Sequence, residues 1–223
     1  MERILEPEVM DTEAEAVDYD AMDFTEVNTA FAEKAIEIAP KVAKILDAGT
    51  GTARIPIIIC QKRPHWKIIA IDMAKSMLER GKKNIELAGL TSQIQLELID
   101  AKQMPYPPEQ FNLVISNSLV HHLPNPLPFF QEVKRVLQPN GAILIRDLMR
   151  PPSQKIINNM VEEIGGDYNQ HQKDLFRDSL QAALTLNEVQ DLVAIAGLTA
   201  VKIYQSSDRH WTIERAFIHL LLR

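Results

Sequence analysis

The sequence between residues 43 and 148 alternates between short apolar runs and longer stretches with helical spacing. The run Lys67–Asp72 is almost entirely aliphatic, as a strand buried on both faces requires. The predicted strands are Ala43–Asp47, Lys67–Asp72, Ile94–Ile99, Phe111–Ser116 and Ala142–Leu148. The predicted helices between them are Ala53–Gln61, Lys75–Ala88, a weak short segment after Asp100, and Leu127–Leu137. This alternation predicts an α/β fold whose doubly wound sheet has five parallel strands joined by right-handed crossovers.

The segments on either side of this core are predicted to be helical. Apolar residues over Phe24–Ala39 predict a helix before the first strand. Residues 150–184 follow the fifth strand and predict two helical pieces, separated by the Gly165-Gly166 break, which together form a helical insert.

The end of the chain is predicted to close the sheet with a hairpin. Thr185 and Glu188 have the spacing of a capping box, so a helix is expected to run from there to Gly197. The last two apolar runs, Thr199–Gln205 and Trp211–His219, predict a C-terminal antiparallel β-hairpin. The predicted organisation is an acidic leader over residues 1–23 and one domain over residues 24–223.

Charge and cysteine content exclude several classes of protein. Residues 1–30 contain ten acidic residues and one basic residue, whereas the whole chain of 223 residues has a net charge of −6. The remainder has no dense Lys/Arg stripe, which disfavours nucleic acid as a partner. The apolar runs are too short to cross a membrane, and the single Cys60 cannot form an internal disulfide. A cytoplasmic protein is therefore expected.

A glycine-rich turn follows the first predicted strand. Gly49, Thr50 and Gly51 come directly after Asp47-Ala48, and glycines there permit a close approach that a Cβ would obstruct. Open α/β sheets bind ligands at this carboxyl edge of their strands. A tight turn without a ligand remains an alternative for the glycine pair alone.

Two further carboxylates end the next two predicted strands. Asp72 closes the second strand, where a carboxylate can accept two hydrogen bonds from a ribose diol. Asp100 closes the third strand and is followed by Ala101, a spacing that suits an adenine edge. Either acid alone could be a helix cap or a solvated strand end. Together with Asp47 they predict a nucleoside site.

The pattern departs from the dinucleotide fingerprint, which requires a third glycine three residues after the second. Arg54 occupies that position. The carboxylate of Asp47, directly before the glycines, would repel a pyrophosphate but suits a cationic amino acid group. A nicotinamide-dependent oxidoreductase is therefore the weaker prediction, and a nucleoside without a pyrophosphate is preferred.

These motifs resemble those of class I S-adenosylmethionine-dependent methyltransferases, which have a Rossmann-like sheet. The resemblance runs over residues 40–150 and rests on five segments. These are Leu46–Thr52, Ala70–Leu78, Leu98–Ala101 with Met104-Pro105-Tyr106, Phe111–Leu123, and Phe130–Gly141. Residues Arg146–Pro151 also weakly resemble quinone-biosynthesis methyltransferases, which is too little to name the acceptor. Arg54, where many members have a small residue, departs from the family pattern.

The resemblance implies S-adenosylmethionine as cofactor, S-adenosylhomocysteine as product, and a role for each matching residue. Asp47, Gly49, Thr50 and Gly51 would line the methionine end of the cofactor. Asp72 would bind the ribose, Met73 would pack on the adenine, and Asp100 with Ala101 would meet the adenine amino edge. Ser116 and Asn117 would face the sulfonium.

The acceptor side of the site is less specified by the sequence. His122, and next to it His121, are candidate general bases because they follow the fourth strand, although such a pair often serves packing and turn hydrogen bonds. His210 and Trp211 could border the acceptor pocket or be ordinary hairpin residues. Candidate acceptor-binding residues in the leader and the insert, which are predicted to act as a lid, are Tyr19, Phe24, Tyr168, His171 and Arg177. The alternative for the insert is a helical layer that only buries sheet surface.

The predicted function is methyl transfer to a small-molecule acceptor, with O- or C-methylation favoured because of the two histidines. The alternative is a module that binds S-adenosylmethionine without catalysis. The histidines and Cys60 do not fall at metal-ligand spacing, so no metal is predicted. Acceptor identity and oligomeric state are left open.

Overall fold

The computed structural model describes residues 1–6, 11–13, 16–17, 20, 22, 24–166 and 168–218. Within them one seven-stranded sheet has the order β3-β2-β1-β4-β5-β7-β6. The strands are β1 (Lys44–Ala48), β2 (Lys67–Asp72), β3 (Ile94–Leu98), β4 (Phe111–Asn117), β5 (Leu137–Leu148), β6 (Lys202–Gln205) and β7 (His210–Arg215). The helices are α1 (Thr25–Ile38), α2 (Arg54–Lys62), α3 (Lys75–Leu87), α4 (Leu127–Val136), α5 (Gln154–Ile164), α6 (Gln170–Ala182) and α7 (Leu186–Ala196).

Strands β1 to β5 pair in parallel, and the β6–β7 hairpin joins the sheet antiparallel to β5 through β7. The predicted fold class is confirmed: five parallel strands, a C-terminal antiparallel hairpin, and a helical insert formed by α5 and α6 after the fifth strand. The strand order changes direction between β1 and β4, and doubly wound sheets bind ligands at that point.

Both faces of the sheet are buried, which explains the continuous aliphatic runs. Ile45 and Leu46 are neighbours on β1, yet Ile45 packs with helices α1 and α2 whereas Leu46 packs with α4 and α7. The first face includes Phe31 and Trp66, and the second includes Trp211. Successive strand residues point to opposite faces, so a central strand needs apolar residues at every position.

Most predicted boundaries agree with the structure to within a residue or two, and four predictions differ. Strand β6 begins at Lys202 rather than Thr199. Residues 101–103 form a turn, so the weak helix expected after Asp100 is wrong. Strand β5 begins at Leu137 rather than Ala142, because Leu137 pairs with Phe111 before a register shift. Strand β7 ends at Arg215 rather than His219. Beyond it Phe217 donates its N–H to Ile38 O of α1 at 2.8 Å, outside the hairpin ladder.

The capping prediction for α7 is confirmed. The Thr185 side chain accepts from the N–H of Glu188, and the Glu188 carboxylate accepts from the N–H of Thr185 at 2.7 Å. Gly197 ends the helix with φ of +70°, a conformation that suits glycine.

The insert packs on the carboxyl end of β5. Its buried cluster combines Leu148 of that strand with Ile157, Val161 and Leu180 of α5 and α6. The first residues of the chain also join this region, since Ile4 donates its N–H to Gln181 O at 3.2 Å. No helix among the described residues is long and apolar enough to span a membrane.

Candidate cofactor and acceptor site

The glycine turn after β1 is held against β2. The N–H groups of Gly49 and Thr50 both donate to Ile71 O, at 2.9 and 3.0 Å. Gly49 and Gly51 have φ of +74° and +54°. A Cβ on Gly49 would lie 2.8 Å from the Cβ of Leu119, so this position needs glycine both for its conformation and for the close approach.

Asp72 joins the turn after β1 to the turn after β2. Its Oδ2 accepts from the N–H of Gly51 at 2.8 Å, and its Oδ1 accepts from the N–H of Ala74 at 2.9 Å. Burial raises the pKa of Asp72 above its usual value, although the hydrogen bonds from Ala74 and Gly51 oppose the shift. This carboxylate fixes the shape of the turn region.

The two other predicted carboxylates differ in exposure. Asp47 is the penultimate residue of β1 and is 2% exposed, and burial, with a further contribution from the charge of Asp72, raises its pKa to about 7. Asp100 is more exposed. Its Oδ1 accepts from the N–H of Lys102 at 2.8 Å and lies 3.2 Å from the Lys102 Nζ.

A cleft with about 740 Å³ of free space, its open mouth included, lies at the carboxyl edge of β1, β2 and β4. It is lined by Gly49, Gly51, Asp72, Met73, Ala74, Met77, Ile99, Asp100, Ala101, Ser118, Leu119, His122 and Leu123. Seven predicted site residues therefore share one cleft: Gly49, Gly51, Asp72, Met73, Asp100, Ala101 and His122.

Four predicted cofactor residues do not line this cleft. Asp47 is buried within β1 and Thr50 belongs to the turn itself, and neither is among the lining residues. The buried Ser116 hydroxyl donates to Ala48 O at 2.8 Å, and Asn117 Oδ1 accepts from Arg146 Nε at 2.9 Å. Strand β4 ends at Asn117, one residue later than predicted, so the first residues beyond it face the cleft instead.

Those residues are Ser118 and Leu119, which sequence reasoning missed. Ser118 has φ of +61°, so the chain turns sharply where the strand ends. A strand boundary placed one residue later would have found Ser118 but not Leu119.

The two histidines lie in a single 3₁₀ turn, Val120–His122, but have different surroundings. His121 is buried, and its Nδ1 lies 2.5 Å from Asp147 Oδ1 of β5. Burial acts to lower the pKa of His121, but the charge and hydrogen bond of Asp147, together with Glu6, outweigh it and raise that pKa. The same contact outweighs burial to lower the pKa of Asp147. His122 alone of the two lines the cleft.

Glu6, in the acidic leader, reaches this histidine pair. Its Oε1 lies 2.9 Å from His122 Nδ1 and 3.6 Å from His121 Nε2. The segment is anchored by Arg3, whose guanidinium donates to the carbonyls of His121 and Leu123 at 3.0 and 2.9 Å. The prediction that no metal-ligand set exists considered only sequence spacing. The fold brings three ligand atoms, one each from Glu6, His121 and His122, to within 4.8 Å of one another.

The predicted acceptor residues in the described part of the chain lie apart from the cleft lining. Tyr168, His171 and Arg177 belong to the insert, where Arg177 NH1 donates to Asp174 at 2.5 Å. Phe24 precedes α1, and Tyr19 falls outside the described residues. Trp211 is fully buried in the core, and His210 lines a separate cleft. Neither residue is among those that line the cleft beside Asp72 and His122.

Arg54, which departed from the expected pattern, anchors the leader. Its Nε donates to Asp20 Oδ1 at 3.1 Å and its NH1 donates to Met22 O at 2.8 Å. Its guanidinium is therefore engaged by the leader.

The fold and the cleft define a Rossmann-like nucleoside-binding protein of the α/β class. A profile of the methyltransferase-domain family matches residues 40–214. The chain belongs to this family, the class I S-adenosylmethionine-dependent methyltransferases, and its cofactor is S-adenosylmethionine.

Individual relatives are more distant. The 27-O-demethylrifamycin SV methyltransferase of Amycolatopsis mediterranei is 25% identical over 76% of this chain and 60% of its own length. The ubiquinone/menaquinone biosynthesis C-methyltransferase of Roseobacter denitrificans is 26% identical over 60% of this chain and 59% of its own. The chain thus spans about 60% of the length of these two relatives.

A solved structure shares the fold over the whole chain. It is a Methanococcus maripaludis protein assigned as an S-adenosyl-L-methionine-dependent methyltransferase, with a TM-score of 0.71 and 20% identity. The match covers 98% of this chain and 100% of that one. At this identity the likeness concerns the fold alone.

Proposed function

We propose that this protein transfers the methyl group of S-adenosylmethionine to a small-molecule acceptor, by O- or C-methylation. The observation that carries the proposal is the composition of the cleft at the switch point of the sheet. Among the described lining residues the ionisable side chains are Asp72, Asp100 and His122. We assign the carboxylates of Asp72 and Asp100 to the nucleoside, and His122 to the acceptor.

The cofactor end of the cleft follows from these residues. We assign the ribose hydroxyls to Asp72, the adenine face to Met73, and the adenine amino edge to Asp100 with Ala101. The methionine end lies against Gly49 and Gly51, where the absence of side chains leaves main chain exposed. Thr50 belongs to this turn and Asp47 is buried two residues before it, so the charge of Asp47 acts on the cationic amino group without lining the cleft.

The acceptor end is assigned to the residues after β4. Ser118 and Leu119 take the place expected of Ser116 and Asn117 beside the sulfonium. His122 takes the proton of an acceptor hydroxyl or acidic carbon on a ring nitrogen. The acceptor atom then forms a bond to the methyl carbon while the carbon–sulfur bond breaks, and sulfur keeps the electron pair. His121, held by Asp147, positions its neighbour in the turn.

The acidic leader over residues 1–23 and the helical insert over residues 150–184 form the acceptor cover in this proposal. The support is that the leader is attached at both ends, through Arg3 near His121 and through Asp20 at Arg54. The predicted acceptor residues Phe24, Tyr168, His171 and Arg177 would meet the acceptor only when the cover closes. In this proposal the acceptor under the cover is a small molecule rather than a nucleic acid. The proposed compartment of the reaction is the cytoplasm.

Calorimetric titration with S-adenosylhomocysteine, with NAD alongside, tests cofactor binding, and release of S-adenosylhomocysteine with candidate acceptors tests turnover. We expect micromolar binding of S-adenosylhomocysteine and no binding of NAD. We also expect His122→Gln to lower kcat about 100-fold or more with unchanged S-adenosylhomocysteine affinity, as for loss of a general base. The matched control is His65→Gln, at an exposed position.

Binding without turnover by any acceptor or by cell extract would favour the alternative, a module that binds the cofactor without catalysis. Tighter binding of NAD than of S-adenosylhomocysteine would contradict the cofactor assignment.

A further inference from the structure

We propose that Glu6, His121 and His122 form a binding site for one divalent transition-metal ion of the Zn²⁺ class, at the acceptor side of the cleft. Two imidazole nitrogens and one carboxylate oxygen are ligands that such ions prefer, and catalytic zinc sites keep three protein ligands and one open position. The three ligand atoms lie within 4.8 Å of one another.

The distances suit a shared ion. Glu6 Oε1 lies 3.6 Å from His121 Nε2 and 2.9 Å from His122 Nδ1. Ligands placed tetrahedrally around a zinc ion at about 2.0–2.1 Å are about 3.3 Å apart. The two distances from Glu6 differ from this value by a few tenths of an ångström, and the two ring nitrogens lie within 4.8 Å of each other.

Two of the three ligand atoms are buried polar atoms that make no hydrogen bond of acceptable geometry. Among the described residues, Glu6 Oε1 and His122 Nδ1 have no hydrogen-bond partner of acceptable geometry, although they are close together. The Glu6 side chain is 8% exposed. Their mutual contact of 2.9 Å lacks hydrogen-bond geometry, and one ion would satisfy both buried groups.

The groups behind the ligands have the arrangement that metal sites use. The carboxylate of Asp147 contacts His121 Nδ1 at 2.5 Å, which leaves the Nε2 of that ring for an ion. Asp147 is itself held by the N–H groups of Val120 and Leu148. The Ser179 hydroxyl donates to Glu6 Oε2 at 3.1 Å, so the other oxygen of that carboxylate is the free one.

The nearby positive charge does not compete for the ligands. Arg3 lies beside the cluster, but its guanidinium donates to the main-chain carbonyls of His121, Leu123, Pro124 and Ala182. It holds the segment that carries Glu6 against the 3₁₀ turn. A metal ion here would therefore join the leader to the cleft.

The position of the site indicates what an ion would do, and this step rests on the proposed methyl transfer. Of the three ligand residues His122 alone lines the cleft, and its Nδ1 is buried on the side of Glu6. An ion held by that nitrogen would fix the orientation in which the His122 ring meets the acceptor, and it would join the ring to Glu6 and His121.

The test uses the full chain, stripped with a chelator and titrated with Co²⁺, which binds at zinc sites and absorbs visible light. We expect one Co²⁺ per chain, with the intense visible bands of tetrahedral coordination, displaced by Zn²⁺. Glu6→Gln and His122→Gln should each weaken binding at least tenfold. The matched controls are Glu2→Gln and His65→Gln, both at exposed positions, which should bind like the parent.

Thermal unfolding of each variant shows that it is folded before its metal affinity is read. The proposal is overturned if the parent shows no such spectrum, or if the four variants bind Co²⁺ alike. Calorimetry with S-adenosylhomocysteine on the same samples separates the two proposals. Metal binding with no binding of that nucleoside would reject the proposed function and leave the metal site standing.

Discussion

The main-chain N–H of Gly51 donates a hydrogen bond of 2.8 Å to Oδ2 of Asp72, which ties the glycine turn after β1 to the end of β2. The same carboxylate accepts from Ala74 at its other oxygen. Asp72 therefore has two roles in the proposed site, since it shapes the turn and also presents lone pairs to the ribose.

Replacement of Asp72 by alanine is expected to weaken S-adenosylhomocysteine binding about 10- to 100-fold or more. Hydrogen bonds to charged groups contribute about 1.5–3 kcal/mol each, and both the ribose contact and the turn geometry depend on this carboxylate. Calorimetric titration measures the change. The control is Asp191→Ala, at an exposed position of α7, and equal affinities in the two variants would contradict the ribose assignment.

A second pair of variants separates backbone strain from close approach. Gly49→Ala and Gly89→Ala both place a side chain at positive φ, of +74° and +70°. Strain of this kind costs about 1–2 kcal/mol. A Cβ on Gly89 meets nothing within 4 Å, whereas a Cβ on Gly49 meets Leu119 at 2.8 Å.

We therefore expect Gly49→Ala to lose about 1–3 kcal/mol more of the free energy of unfolding than Gly89→Ala. It should also weaken S-adenosylhomocysteine binding, whereas Gly89→Ala should not. Denaturant unfolding and calorimetry measure the two effects. Equal losses of unfolding free energy in the two variants would mean that the Leu119 side chain moves aside at little cost.

Cofactor binding is expected to depend on pH through Asp47. Its pKa in the folded protein is about 7, against an ordinary 3.8, so ionisation of this carboxyl costs folding stability as the pH rises between those values. A cationic amino group above the turn favours the ionised form. Affinity for S-adenosylhomocysteine should therefore fall, by up to tenfold per pH unit, as the pH drops below about 7.

Calorimetry at pH 7 in two buffers of different ionisation enthalpy should reveal proton release on binding. Asp47→Asn should abolish both the proton release and the pH dependence. If the parent protein releases no proton, cofactor binding does not change the ionisation of Asp47.

The attachment of the leader at Asp20 gives a fourth prediction. This carboxylate is 7% exposed and accepts from Arg54 Nε, from Arg80 Nε at 2.7 Å and from Asn84. Burial opposes ionisation, but the bonds from Arg80, Thr52 and Arg54 outweigh it and lower the pKa of Asp20. The attachment is therefore present at neutral pH and is lost as the pH falls below the ordinary carboxyl value of 3.8.

In Asp20→Asn the guanidinium groups of Arg54 and Arg80 lose their counter-charge. Amide hydrogen exchange in the leader should therefore become several-fold faster, with little change in the core strands. Glu26→Gln, at an exposed position of α1, is the control. Unchanged exchange in Asp20→Asn would show that the leader is held at other points.

The sequence by itself determined the sheet and several of the residues that line the cleft, which are the proposed cofactor residues. Each central strand carries its own signal in consecutive aliphatic residues, and Gly49, Gly51, Asp72 and Asp100 sit at strand ends that a parallel sheet brings to one edge. Strand ends depend on pairing across the sheet. Leu137 joins β5 through its pairing with Phe111, and β4 extends one residue past its predicted end, with Ser118 and Leu119 rather than Ser116 and Asn117 lining the cleft.

The acceptor side was decided by tertiary structure alone. No local pattern links Glu6 to His122, or His121 to Asp147, because each pair joins segments that are distant in the chain. Their meeting depends on how Arg3 docks the leader and on which strand lies beside β4. Periodicity and turn chemistry report only on neighbouring residues, whereas contacts between distant side chains exist only once the core has packed.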